Sequence, residues 1–503
     1  MSDGPPMGFG DATVPPLRGW KLAVGGFSLA LANFVVVLDI TIANVSVPHI
    51  SGSLAVSPTQ GTWVLTSYAV AEAICVPLTG WLVRTFGAVR VFLTALFGFG
   101  LCSMLCGMSG TLGLLIAFRI AQGLCGGPIM PMTQTLMLRV FPKEKAGAAL
   151  GLWAMTTVVA PIAGPICGGL ISDNLSWHWL FFINIPIAIF ALVSVWNLVR
   201  PFETQRQKAP IDFGGLALLI VWVGALQIML DKGREEEWFA SPMIVTLAVT
   251  AAIGFVAFLI WEMTEKHPII DLSVFRSRGF TVAATAQAVA YAAFFAFLVL
   301  IPLFLQTNLN YTATWAGFAM GFVGVLAVVF APIVARLIGK VDTRMLIIFG
   351  MCWLGAVGWL RTGWISGMGF WTIAFPQMIQ GLGMPFFFVG STALAIASVR
   401  PDQTASAAGI QSFMRTMAGA FATSMSTTMW ERLTKANRAD LVGVIHPPMH
   451  TGLPAAQARA ALSQLVQTEA VTLATRQIFT VCSLTFFFAA ALVLLAPRPP
   501  QRS

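Results

Sequence analysis

Residues 281–306 read TVAATAQAVAYAAFFAFLVLIPLFLQ, twenty-six consecutive positions without an Asp, Glu, Lys or Arg. Wound as a helix, the run is about 39 Å long, more than the roughly 30 Å of a bilayer's hydrocarbon core. In lipid every backbone polar group must be satisfied within the protein, so only helices and closed barrels cross it. A barrel strand would alternate over about 10 residues, and this run does not alternate. The same reading extends outward along the whole chain. Apolar spans fall at about 22–47, 61–82, 91–110, 113–136, 146–171, 178–199, 212–231, 243–263, 281–306, 314–335, 345–362, 371–396, 405–431 and 477–496. Composition agrees: 57% of the 503 residues are hydrophobic and 10% charged, where a soluble domain carries about 25% charged residues. The expected fold is therefore all-α and integral to the membrane, with fourteen transmembrane helices.

Basic residues orient the spans. With a cytoplasmic N-terminus, the inner segments hold nineteen Lys and Arg residues, from Arg18 and Lys21 through Arg139, Lys143 and Lys145 to Arg498 and Arg502. The short outer loops hold three, Lys232, Arg234 and Arg361. That asymmetry is the positive-inside pattern, and it puts both termini in the cytoplasm. The net charge of +9 is spread singly between spans, not gathered in the patch that nucleic acid requires. Residues 1–17 are Pro/Gly-rich, and the long apolar stretch after them does not read as a cleavable signal. The seven cysteines all fall inside apolar runs, without disulfide or metal-ligand spacing.

A weak internal repeat divides the chain. Arg119, Gln122, Gly123 and Pro128 in span four are echoed by Gln377, Gln380, Gly381 and Pro385 in span twelve. Arg84, Gly87 and Arg90 after span two are echoed by Arg336, Gly339 and Arg344 after span ten. Parallel repeats of six helices mark one class of transporter. The expected organisation is a cytoplasmic tail (1–21), a six-helix half (22–199), a linker with inserted helices seven and eight (200–280), a second six-helix half (281–496) and a cytoplasmic tail (497–503). The second half includes a long periplasmic loop, 432–475, with His446-Pro447-Pro448 followed by a polar, helix-prone stretch.

Ionisable groups inside spans are costly and mark function by default. Asp39, Glu72 and Arg119 lie at similar depths, roughly 9–16 Å below the outer ends of spans one, two and four. Two carboxylates and a guanidinium at one depth can bind and release protons, which makes Asp39, Glu72 and Arg119 the proton-coupling candidates. A permanent Asp39–Arg119 ion pair that only fixes helices is the plainer alternative. Tyr68 precedes Glu72 by one helical turn, and Gln287 and Tyr291 repeat that spacing in span nine. With Arg415 they are candidates for lining a substrate cavity; satisfying interhelical hydrogen bonds would require the same residues. In span five, Gly164, Pro165, Gly168 and Gly169 combine a small-residue face with a helix-bending proline. They suit a hinge between rocking halves, or a static close crossing.

No catalytic constellation, metal-ligand spacing, cofactor motif or phosphate-binding GxxxxGK[ST] loop is present in the sequence, so transport would draw on an ion gradient or on a partner. A charge crossing 100 mV yields about 2.3 kcal/mol, enough for roughly a 40-fold concentration ratio.

The motifs resemble those of the major facilitator superfamily, specifically its fourteen-helix drug:proton antiporters. Leu38-Asp39-Ile40-Thr41-Ile42-Ala43-Asn44-Val45 with Pro48 is similar to the span-one motif of that branch. Arg119, Gln122 and Gly123 match the span-four motif, and Gly164-Pro165 with Gly168-Gly169 the span-five antiporter motif, whose leading glycine is Ala160 here. Gly61-Thr62-Trp63-Val64, Phe181-Phe182-Ile183-Asn184, Leu226-Gln227-Ile228-Met229-Leu230-Asp231 and Tyr311-Thr312-Ala313-Thr314-Trp315-Ala316-Gly317 resemble the EmrB-type multidrug pumps of that branch. The resemblance covers roughly residues 20–497. Where the family's loop after span two carries an Asp, this chain has Arg84; the echo after span ten has Asp342. The resemblance implies proton-driven export of amphipathic drugs across an inner membrane. It also implies a periplasmic EmrA-type adaptor and a TolC-type outer-membrane channel as partners. Export of one metabolite or siderophore, and a non-transporting scaffold or sensor, remain open.

Overall fold

The computed structural model describes residues 14–206, 210–266, 268–338, 340–400, 403–444 and 455–497. Residues 1–13 of the expected N-terminal tail, 445–454 of the expected outer loop (His446-Pro447-Pro448 among them) and 498–503 lie outside these. The described residues form long helices and no strand. In chain order they are α1 (Gly19–Ser53), α2 (Trp63–Phe86), α3 (Ala88–Gly107), α4 (Leu112–Val140), α5 (Ala146–Asn174), α6 (Trp179–Leu198) and α7 (Phe213–Lys232). Then come α8 (Pro242–Thr264), α9 (Arg278–Thr307), α10 (Thr314–Leu337), α11 (Thr343–Leu360), α12 (Phe370–Ala397), α13 (Thr404–Val444) and α14 (Ala455–Val493).

Twelve helices among the described residues are long and apolar enough to cross a membrane. The other two are α5, of which only Ala146–Pro161 counts toward an apolar span among the described residues although the helix continues to Asn174, and α13. The latter is rich in Ala, Ser, Thr and Gly, residues that suit close helix packing more than contact with lipid. Length and composition therefore support twelve spans, against the fourteen expected.

The packing scheme repeats. Among α1–α6 the close pairs are α1 with α5 and α6, α2 with α4, and α3 with α4 and α6. Among α9–α14 they are α9 with α13 and α14, α10 with α12, α11 with α12 and α14, and in addition α13 with α14. Each pair in the first set has its counterpart eight helices later. The sets meet where α5 packs on α10 and α12, and where α13 packs on α2 and α4. Small residues permit these crossings: a Cβ on Gly147 would stand 2.2 Å from the Ala335 carbonyl oxygen, and one on Gly80 2.4 Å from Ser406 Oγ. The pair α7–α8 packs on α2 and α13 through α7, while α8 leaves Ile253, Val256, Ile260 and Met263 exposed.

On the side where α2 ends, Gly87 (φ +92°) turns the chain into α3. Glu203, just after α6, accepts hydrogen bonds from the Val89 and Arg90 amides at 2.9 and 3.1 Å, satisfying orphan donors of the α3 N-terminus. After α10, Asp342 accepts from the Arg344 amide at 3.0 Å, and Arg344 Nη1 donates to the Ala496 carbonyl at 3.0 Å. Each loop is thus tied to the end of its own set of helices.

The expected loop 432–475 is largely helix. α13 continues to Val444 and α14 begins at Ala455, because Ala, Leu, Arg and Lys dominate residues 432–441 and favour helix even where no apolar face exists. Trp430 Nε1 donates to Thr475 Oγ1 at 2.9 Å, and Asn437 Nδ2 to Gln477 Oε1 at 3.1 Å, so the two arms pack together.

Candidate functional site

The first site lies inside α1–α6. Asp39, wholly buried on α1, faces Arg119 on α4, which is 1% exposed. Arg119 Nη1 donates to Asp39 Oδ2 at 2.5 Å. Two amides complete the carboxylate's shell: Gln122 Nε2 donates to Oδ1 at 3.1 Å and Asn184 Nδ2 to Oδ1 at 2.6 Å. Arg119 also donates from Nε to the Val64 carbonyl at 3.1 Å and from Nη1 to Gln122 Oε1 at 2.9 Å. Asn184 reaches on to Ser103 Oγ at 3.0 Å, and Ser103 donates to the Phe181 carbonyl at 2.9 Å. The network therefore joins α1, α2, α3, α4 and α6 with charge-assisted hydrogen bonds.

Tyr68 belongs to this network and not to an open cavity. Its ring lies 4.2 Å from Arg119 Cζ, a cation–π geometry, and it is buried. α2 can approach α4 this closely because Gly123 carries no side chain: a Cβ there would meet the Tyr68 carbonyl oxygen at 2.5 Å. Asn184 and Ser103 were not singled out as site residues. The available signal was a lone Asn at the end of an aromatic run, in a helix otherwise without amides until its last turn.

Glu72, one turn from Tyr68, is buried but takes no part in this network. Its carboxylate has no ion pair or hydrogen bond among the described residues, and it lies in the electrostatic field of Arg119, Asp39 and Arg415. The expected trio is thus a close pair with Glu72 set apart.

The second group sits where the two sets of helices meet. Arg415 on α13 places Cζ 5.1 Å from the Trp153 ring of α5 and 5.8 Å from the Tyr291 ring of α9, and touches the Met130 sulfur of α4. Tyr291 packs with Phe294, Phe295 and Phe388. Gln287 accepts from Gln411 and donates to Thr392 Oγ1 at 3.4 Å. Gln287, Tyr291 and Arg415 therefore occupy one neighbourhood, aromatic with two amides and a cation.

The span-five glycines divide. A Cβ on Gly164 would meet Thr41 Oγ1 at 2.2 Å, and one on Gly168 the Ile42 carbonyl oxygen at 3.0 Å. Both glycines therefore form the α1–α5 crossing, two residues along α1 from Asp39. Gly169 is buried, and a Cβ on it would meet no described atom within 4 Å. The side chain of Pro165 lies outside the described residues.

A buried ion pair in a repeated six-plus-six bundle of apolar helices defines a polytopic transporter fold, and the chain belongs to the Major Facilitator Superfamily, whose model matches residues 29–423. It is 40% identical over 497 residues to the "Multidrug export protein EmrB" of Escherichia coli (strain K12), covering 96% of this chain and 97% of that protein. It is also 40% identical over 500 residues to the "Fatty acid resistance protein FarB" of Neisseria gonorrhoeae, covering 97% of this chain and 98% of that protein. Among solved structures, the human organic anion transporter MFSD10 (TETRAN) shares the fold with a TM-score of 0.56 at 13% identity, over 94% of this chain and 98% of that one.

Proposed function

We propose that the chain is a proton-coupled multidrug exporter of a bacterial inner membrane. Relatives named for multidrug export, similar along nearly the whole chain, support the cargo class. The topology proposed is fourteen crossings with both termini cytoplasmic: two six-helix halves, α1–α6 and α9–α14, with α7–α8 inserted between them. α5 and α13 then cross as buried members of the bundle.

The observation that carries the proton-coupling reading is the unequal treatment of two buried carboxylates. Asp39 accepts three donors, from Arg119, Gln122 and Asn184. Glu72 accepts none from the described residues and shares its field with Arg415 across the boundary between halves. Glu72 is therefore the group that can gain or lose a proton without breaking an ion pair. Ionised, it attracts Arg415 and draws α2 toward α13; protonated, it releases that attraction, and the halves rock apart about the α5–α10 and α2–α13 crossings. Asp39 and Arg119 hold the first half rigid while this happens. Drug lies between the halves against Tyr291, Gln287 and Arg415. The α13–α14 arms beyond the membrane offer a docking surface for an EmrA-type adaptor leading to a TolC-type channel.

The test is drug-stimulated proton movement in proteoliposomes. Glu72→Gln should still bind drug and carry it downhill but lose uphill transport driven by pH. Retention of full pH-driven accumulation by Glu72→Gln removes the residue from the mechanism.

A further inference from the structure

The inserted pair α7–α8 begins and ends in carboxylates that no cation among the described residues answers. Asp212 caps the N-terminus of α7 and Glu262 lies in the last turn of α8, too far apart in the chain for the sequence to show a ligand spacing. Two glycines let these helix ends close on each other. A Cβ on Gly214 would stand 2.4 Å from the Trp261 ring. Asp212 is half-buried; its Oδ1 accepts from the Gly215 amide at 2.9 Å, and Trp261 Nε1 donates to Oδ1 and Oδ2 at 3.1 and 2.9 Å. Glu262 is 4% exposed, and its Oε2 accepts from the Ile270 amide at 3.2 Å. The other oxygen of Glu262, Oε1, is buried without a partner among the described residues.

That orphaned oxygen is turned toward Asp212. A Cβ on Gly215 would meet Asp212 Oδ2 at 2.4 Å and Glu262 Oε1 at 2.8 Å. The two oxygens are therefore within about 5 Å of each other, across a gap that one hard cation bridges at roughly 2.0–2.6 Å from each. The charges that act most on Glu262, those of Asp212 and Glu265, are both negative. Carboxylates this close repel unless a positive charge enters between them, and an unpaired buried one is costly. Glycine at 215 keeps the gap open, since any side chain there would fill it.

We propose that Asp212 and Glu262 form a site for a hydrated divalent cation of the magnesium class, with Asp212 Oδ2 and Glu262 Oε1 as its protein ligands. Magnesium takes one or two carboxylates and keeps several of its waters, and its two charges balance the pair. The bound ion ties the start of α7 to the end of α8. Through the Ile270 amide it also steadies the segment leading to Asp271, whose Oδ2 accepts from Gln403 Nε2 at 3.3 Å just before α13. The inserted pair becomes a fixed strut against the second set of helices. On the topology proposed above the site opens to the cytoplasm; the binding test stands apart from that reading and from the export reading.

Purified full-length chain in dodecylmaltoside at neutral pH is stripped with a chelator and titrated with Mg²⁺, against NaCl at matched ionic strength. Mg²⁺ should raise the melting temperature saturably where NaCl does not. Mn²⁺, followed by its paramagnetic resonance, should bind as a single ion per chain that Mg²⁺ displaces. Asp212→Asn and Glu262→Gln should each weaken Mn²⁺ binding about tenfold or more, no less than losing a group that merely supports a ligand. Glu262→Gln keeps an oxygen for the Ile270 amide and removes the repulsion, so without metal it should melt at or above the metal-free parent. No saturable Mg²⁺ response in the parent, or Mn²⁺ affinity unchanged in Glu262→Gln, overturns the proposal. Stabilisation by mild acid with no response to Mg²⁺ assigns the gap to a shared proton and overturns the cation.

Discussion

Replacing Asp39 with Asn keeps the size of the side chain and one acceptor oxygen but removes its charge. Three donors converge on the carboxylate, from Arg119 at 2.5 Å, Asn184 at 2.6 Å and Gln122 at 3.1 Å. The amide can satisfy one of them and turns an NH₂ toward the others. What remains is a guanidinium 1% exposed, held by the Val64 carbonyl, Gln122 and the faces of Tyr68 and Phe181. Breaking a buried ion pair by removing one partner costs about 3–5 kcal/mol. Asp39→Asn and Arg119→Met should each lose stability of that order, measured by unfolding in mixed micelles of dodecylmaltoside and dodecyl sulfate. The double variant buries no unpaired charge, so it should recover much of the loss, with a coupling energy of about 0.5–3 kcal/mol. Arg119→Lys keeps the charge without the planar fork and should fall between. Single variants within about 1 kcal/mol of the parent, or a double variant equal to the sum of the singles, would refute the claim that this pair holds α1 to α4.

The span-five glycines separate a crossing from a bystander. Gly164→Ala drives a methyl into Thr41 and should lower both thermal stability and yield, whereas a methyl on Gly169 meets no described atom within 4 Å and should change stability by about 1 kcal/mol or less; equal effects would remove the crossing argument. Single cysteines placed at Ala240 and Arg276, in a background without cysteine, should be labelled by an impermeant maleimide from opposite sides of the membrane, and labelling of both from outside would end the fourteen-crossing proposal. Replacing residues 436–470 with a short Gly/Ser turn should abolish co-purification of an EmrA-type adaptor while liposome transport persists. Unchanged adaptor capture would leave the helical arms without that role.

Hydropathy and the spacing of basic residues made most of the bundle readable, because lipid imposes length and polarity on each exposed helix separately. The ion pair was also readable: opposite charges at one depth in apolar runs have little besides each other to neutralise them. What escaped was decided by neighbours. α13 was expected as the apolar span 405–431, but it carries too many hydroxyls to qualify by composition; what the sequence did not show is that Gly409 and Ser406 fit it against α2. The first part of α14 was readable as helix-prone, but the continuation of α13 beyond Trp430 to Val444 has no apolar period to announce it. Arg361 looked like a loop charge because the groups that hold its buried side chain, Phe297 on α9 and Pro376, Gln377 and Gln380 on α12, belong to other helices. Tyr68 shared its spacing with Tyr291, but a glycine on another helix, Gly123, let Tyr68 pack against Arg119 inside the first set of helices, while Tyr291 lies in an aromatic cluster beside Arg415 where the two sets meet.

The hydroxyl-rich character of α13 bears on how the chain is made. A segment that cannot partition into lipid alone has no stable resting place on emerging from the ribosome until partners are present. α2, α4, α7 and α9, against which it packs, are all synthesised before it, so a slot lined with small residues and Arg415's aromatic neighbours is ready when α13 arrives. α14 follows and closes the bundle. Biogenesis is therefore ordered by the sequence itself: truncation after α12 should leave an open groove that insertion factors must shield, and quality-control proteases would find their target there.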